Sequence, residues 1–302
     1  MKRKILLGLL GICFSTLSMA QIVDYSFNHN NPDDVSKLLI LVEAGIDGGG
    51  KDGLFVADIN LGAIARYTFV DNIDFQAKIR KSIASFHFDP AYRKNFEIEG
   101  LGAIFFSDNV KQKMETVEIS SKERGNTITV NYFDTNLPQR NLFGVNGGIN
   151  YKTVGINPTE TYDNRTGEGY NGIRENVNFS SVSIIGGIQF KRINASVIKL
   201  KNYRNYRVFD NYIVMTLDGI FSPINTFTDG ITGENVGKEI KDEGFRKSLP
   251  FGGRFTYNVY SSLPASDGAK RLRYTFSGSI GYRAYLGFHY DFGLGLMVFR
   301  SR

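Results

Sequence analysis

The sequence predicts an all-β protein: a transmembrane antiparallel up-and-down β-barrel of about twelve strands. Three observations carry that expectation. The chain begins with an export-type leader, its long segments alternate apolar and polar residues with a period of two, and no apolar run approaches the length of a membrane helix. The leader comes first. Lys2, Arg3 and Lys4 precede an apolar stretch from Ile5 to Leu17, and Ser18-Met19-Ala20 ends in a small residue, so export through the Sec pathway with cleavage between Ala20 and Gln21 is expected. The expected organisation is therefore a signal peptide over 1–20, an N-terminal periplasmic arm over 21–36 and a single barrel over 37–302. Residues 21–36 are polar, contain Asn30-Asn31-Pro32-Asp33-Asp34 and carry no apolar period.

Removing the leader takes away Cys13, the only cysteine, so the mature chain has no thiol for a disulfide or a cysteine-held metal. It also leaves 33 basic residues against 30 acidic ones, a balance too even to point to nucleic acid. With 33 Gly, 24 Phe and 16 Tyr against 7 Pro and no Trp, the composition suits strands and turns. The longest unbroken apolar run after the leader is Leu38 to Val42, which excludes helical membrane spans.

The strands follow from the alternation. Phe55, Ala57, Ile59, Leu61, Ala63, Ala65, Tyr67 and Phe69 share one face, with Asp58, Asn60, Arg66 and Thr68 on the other. Val70-Asp71-Asn72 turns the chain into Ile73, Phe75, Ala77 and Ile79, set against Asp74, Gln76, Lys78 and Arg80. Near the C-terminus the same pattern returns in Leu272 to Tyr282 and in Leu286 to Val298. Strands are expected near 37–46, 54–69, 73–87, 94–107, 110–121, 125–133, 142–154, 178–199, 206–221, 250–261, 269–283 and 285–299. This count treats the slip at Lys191-Arg192 as a bulge. It places the chain ends on one side, and Gly155–Val177 and Ser222–Leu249 as long loops on the other.

The leader, the strand–turn pattern, Gly281-Tyr282-Arg283 and the aromatic-rich Phe288-His289-Tyr290-Asp291-Phe292 give the chain a resemblance to the small outer-membrane β-barrel proteins of Gram-negative bacteria, in the style of Bacteroidota. The likeness implies residence in the outer membrane, contact with its lipid and lipopolysaccharide, and insertion by the barrel-assembly machinery. It departs from that class at the end: Phe299 is one place out of phase with Val298, and Arg300-Ser301-Arg302 follow.

Few motifs carry chemistry. Gly45-Ile46-Asp47-Gly48-Gly49-Gly50-Lys51 has the spacing of a phosphate-binding loop, but Asp52 stands where Ser or Thr should be, so an external hairpin loop is the better reading. His29, His87 and His289 have no metal-ligand spacing. Ser279, His289 and Asp291 form a conceivable hydrolytic triad, which would make the chain a lipid hydrolase; as residues lining a wet lumen they need no catalysis to explain them, and that is the favoured reading. The inward row is expected to carry Asp58, Arg66, Asp74, Lys78, Arg80, Lys191, Asp218, Arg254, Arg271, Arg273 and Asp291. Arg254, Arg271 and Arg273 can be read as a basic ladder selecting anions, and the whole set alternatively as a paired interior that plugs the barrel. Three functions follow: a non-enzymatic structural or accessory subunit of an envelope complex, the favoured reading, a porin-like diffusion pore for small anions, or a lipid hydrolase. No catalytic, cofactor-binding or metal residue is assigned, and no cofactor is implied.

Overall fold

The structure is a computed structural model that describes residues 25–30, 37–50, 56–70, 72–85, 95–124, 127–156, 177–200, 206–229, 232–236, 250–262, 273–283 and 287–301. The leader and its cleavage point, Arg271, Asp71 and most of the two long loops lie outside these residues. Eleven strands are described: β1 (Tyr25–Asn30), β2 (Leu38–Gly50), β3 (Val56–Val70), β4 (Ile73–Ser85), β5 (Phe96–Arg124), β6 (Thr127–Ile156), β7 (Val177–Leu200), β8 (Tyr206–Asp229), β9 (Phe251–Ser262), β10 (Arg273–Arg283) and β11 (Gly287–Ser301). Each of β2 to β11 pairs antiparallel with its sequence neighbours. β11 pairs with β2, which closes a ten-stranded up-and-down barrel with β1 outside it. No helix occurs among the described residues.

The alternation read from the sequence sets the two faces, because successive side chains of a strand point to opposite sides. Outward rows are apolar and exposed: Val42 and Ile46 on β2, Phe75 and Ile79 on β4, Val145 and Ile149 on β6, Phe292, Leu294 and Leu296 on β11. Inward rows are polar and buried, as with Glu43 and Asp47 on β2 or Asp58, Asn60 and Arg66 on β3. The barrel is thus polar inside and apolar outside.

Ten strands, not twelve, form the wall. The segments 94–107 and 110–121 are one strand, β5, and 125–133 and 142–154 are one strand, β6. The turn-like Ser107-Asp108-Asn109 stays extended, and a register shift between Phe105 and Ser107 absorbs its irregularity. Asp134 to Asn141, with Pro138 in its middle, also stays in strand. Pairing of β6 with β7 ends at Gln139↔Asn194, so Pro138 sits where β6 has become an edge and an N–H is dispensable. At Lys191-Arg192 the expected bulge is absent, and β7 keeps register with both neighbours there. A bulge instead lies in β11 between Met297 and Phe299. It sets Phe299 opposite Ile40 and leaves both Val298 and Phe299 exposed, which resolves the phase slip seen in the sequence.

The four central strands run far past the others: β5 and β6 have 29 and 30 residues and β7 and β8 have 24 each, against 11 in β10. Part of that extra length projects as two hairpins from the barrel end where β2 begins and β11 finishes; at the opposite end β7 and β8 run on together from Val182↔Ile224 to Val177↔Asp229, past the last β8–β9 pair, so the start of the expected Ser222–Leu249 loop is strand. Between the hairpins lies β1, a strand within the segment expected to be a short periplasmic arm, paired with β7 from Tyr25↔Leu200 to Asn30↔Ser196. Where the hairpins leave the wall, the inward row changes from polar to apolar. Leu41, Ile64, Val214 and Tyr260, with Tyr212 and Met297 against them, form one buried cluster; Ala103, Phe105, Leu142, Ile193 and Ala195 form the next. Together they make an apolar floor to the lumen at that end.

Candidate functional site: the salt-bridged interior

Above the floor the lumen is crossed by ion pairs, most of them between strands that are not neighbours. At the lowest level Asp74 on β4 receives Arg66 Nη2 from β3 at 2.6 Å and Lys191 Nζ from β7 at 2.8 Å, with a further hydrogen bond donated by Thr68 at 2.8 Å. The guanidinium of Arg66 lies 4.7 Å from the ring centre of Tyr212, and the ammonium of Lys191 lies 5.0 Å from the same ring, so aromatic faces cover both cations. One level up, Arg80 on β4 bonds Glu43 on β2 and Asp291 on β11, and Lys78 reaches Asp291 at 3.0 Å. Ser277 donates to Glu43 at 3.1 Å.

The upper levels span the full width. Arg254 on β9 holds Asp218 on the adjacent β8 at 3.0 Å and reaches across to Glu99 on β5. Arg283 on β10 meets Glu97 on β5 at 2.6 Å, and in a ten-stranded ring those two strands are diametrically opposite. Lys152 on β6 bonds Asp47 on β2 at 2.9 Å, while Asn95 donates to both Asp47 and Asp58, at 3.0 and 3.4 Å. Asn150 ties Glu97 to Glu99 and accepts from Arg283 at 3.0 Å. A cavity of about 40 Å³ is left between Arg66, Asp74, Glu99, Arg254 and Asp291, room for a few water molecules.

Asp58, Arg66, Asp74, Arg80, Asp218, Arg254 and Asp291 are all buried inward, Lys191 is fully buried, and Lys78 is half-buried. Arg273 is half-buried near the other end of β10, eight residues from Gly281, the partner of Arg254, so Arg254 and Arg273 are not neighbouring rungs of one ladder, and Arg271 lies outside the described residues. Arg254 is instead committed to two carboxylates. Reading the sequence for charges missed Glu43, Glu97, Glu99, Lys152 and Arg283. The signal was present: Glu97 and Glu99 alternate with Ile98 and Gly100, as Asn150 and Lys152 do with Ile149 and Tyr151.

Ser279 and Asp291 are direct cross-strand partners, and His289 faces Gly281 one step up. Asp291 is engaged by Lys78 and Arg80, however, and His289 Nε2 accepts from Arg283 at 3.4 Å, so the three residues are not joined in the Ser–His–Asp order that a relay needs. The glycine-rich Gly45–Gly50 is the upper half of β2, not a loop. Its backbone is committed to the ladder with β11 up to Gly50↔Phe288, which leaves no cradle for phosphate. His29 lies in β1 and His87 outside the described residues. Among the described residues no group of three or more His, Cys, Asp or Glu has a geometry that could hold a metal. No protein-family model matches the chain, and no curated protein is significantly similar to it.

Proposed function

We propose that the chain is an outer-membrane β-barrel with a sealed lumen that serves as a structural or accessory subunit of an envelope assembly. The carrying observation is the set of ion pairs between opposed strands, above all Arg283 to Glu97 at 2.6 Å and Lys152 to Asp47 at 2.9 Å. Side chains that meet in the middle of a barrel leave no aqueous path, which weighs against a diffusion pore. Membrane residence is supported by the apolar outward rows around a closed sheet, since closure satisfies every backbone group of the wall internally. Strands of 11 to 15 residues, such as β10 and β11, match the length needed to cross a bilayer at a tilt. The end with the two projecting hairpins then lies in the periplasm, where partner subunits are reached.

Three measurements test this. The protein should fractionate with outer membranes and resist SDS until boiled, and a protease site inserted near Asn164 should be cut on intact cells while one near Asp71 is not. Purification in mild detergent should bring down a stoichiometric envelope partner. Recovery from the soluble periplasm would overturn the membrane reading. Recovery as a lone barrel that conducts would overturn the accessory reading.

A further inference from the structure

At the end with the projecting hairpins the wall opens. β6 and β7 part company after Gln139↔Asn194, so the edge of β7 from Ser196 to Leu200 loses its barrel neighbour, and β1 takes that place through five backbone register pairs. The acceptor and its occupant are unequal. Ser196, Val197 and Ile198 are almost wholly buried, and Ile198 packs with Val117 and Leu137, against Phe133, in a small core of its own. By contrast Tyr25 and Phe27 of β1 are 36% and 39% exposed. β1 is held by a ladder on one side only. Towards β6 the Tyr25 ring lies 4.8 Å from Phe133, and its hydroxyl shares a hydrogen bond with Thr135 at 3.0 Å. Its register also breaks between Phe27 and His29.

A short strand with one ladder, exposed side chains and a register break belongs to the low-stability end of a fold, whereas an edge backed by its own core persists without it. We infer that the β7 edge is a strand-acceptor site for an extended segment of a partner protein, kept covered in the free protein by the chain's own β1. The partner segment needs an open backbone to complete the ladder and an aromatic residue at its first position to fill the Phe133–Thr135 niche, with a second at its third position, because Tyr25 and Phe27 meet edge to face at 5.6 Å. The inference goes beyond the proposed function and does not depend on where the barrel resides, since both readouts use purified protein.

The test uses the register pair Ser26↔Lys199. A hexapeptide copying residues 25–30, with cysteine in place of the serine, is offered to the leaderless protein carrying Lys199→Cys and, as control, to one carrying Lys113→Cys on the exposed stretch of β5. Disulfide capture should be at least ten-fold greater at position 199, and Tyr25→Ala should raise it further. In parallel, backbone amides of Ser196–Leu200 should exchange hydrogen faster than those of Ile184–Gln189, and capture of the peptide should slow them. Equal capture at the two positions, no effect of Tyr25→Ala, or protection at 196–200 as strong as in the barrel wall would each overturn the inference.

Discussion

Each charged side chain in the lumen is kept there by partners, and the cost of losing one depends on how much water can replace it. Arg254 is buried between Glu99 and Asp218, both buried as well. Removing it leaves two carboxylates uncompensated, so Arg254→Met should lower stability on the order of 3–5 kcal/mol, read as a fall in the urea midpoint of the SDS-resistant band. Adding Glu99→Gln and Asp218→Asn should recover most of that loss, because the charges that needed Arg254 are then gone. The same chemistry at the root of the projecting hairpin behaves differently. Asp108 is 44% exposed but its partner Arg140 only 5%, so Asp108→Asn, which keeps an acceptor oxygen for a buried cation, should cost less than Arg254→Met, on the order of 1–3 kcal/mol. The pair Gly186-Gly187 gives a contrast of the steric kind. A Cβ on Gly187 would collide with the carbonyl oxygen of Leu217 and the backbone of Asp218, while one on the outward Gly186 meets nothing closer than 4.0 Å. Gly187→Ala should block barrel assembly and Gly186→Ala should be nearly silent in the same assay. The direction in which each charge points was legible from alternation alone. Which charge it would meet was not, because period two says nothing about which strand stands across the lumen from Glu97 or Lys152.

At the level of the strands, the misreadings that changed the strand count fall where one edge is free, whereas inside the doubly paired wall they are confined to Gly45–Gly50, which is strand and not loop, and to Lys191-Arg192, where no bulge occurs. β3, β4, β10 and β11 lie close to their expected positions, since inside the closed wall each residue must satisfy both a face and two ladders. β5 and β6 were each divided in two because polar triplets and a proline ordinarily mark turns. In the projecting hairpin one face packs on Ile198 while the other is exposed, and the ladder between Ser107–Arg124 and Thr127–Phe143 runs on through those residues. β1 was missed for a related reason: six residues show too short a period to be recognised, and only the edge vacated by β6 gives them a reason to be extended. The position of Pro138 makes this testable. Val145 lies seven residues further along β6, where Ile104 and Ile188 pair with it on both sides. Val145→Pro should therefore abolish the SDS-resistant form, whereas Pro138→Ala should leave it intact; an assembled Val145→Pro barrel would contradict the assignment of β6 as a wall strand there.

At the scale of the whole barrel, the proposed seal has two parts of different chemistry. Ion pairs bridge the middle, and an apolar layer built from Leu41, Ile64, Val214, Tyr212 and Tyr260 closes the end from which the hairpins project. The two seals fail in different ways. Breaking the bridges with Lys152→Ala, Arg254→Ala and Arg283→Ala together removes cross-lumen links and strands buried carboxylates, so the folded form should lose stability; yet the floor remains, and ions still have no exit. Breaking the floor with Tyr212→Ala and Tyr260→Ala uncovers Arg66 and Lys191 from their aromatic partners but leaves the bridges above in place. Neither set alone should give a conducting channel. In planar bilayers the wild type should show no steady current, each set of substitutions should at most add brief transients, and only the combination, if it still folds, should pass ions continuously. Arg273→Glu tests the remaining alternative: half-buried and eight residues along β10 from the partner of Arg254, that side chain has no open path to guard, and its reversal should change no current. A stable anion-selective conductance in the wild type, reversed by Arg273→Glu, would show instead that the interior opens in a membrane and that the ion pairs are the resting state of a pore.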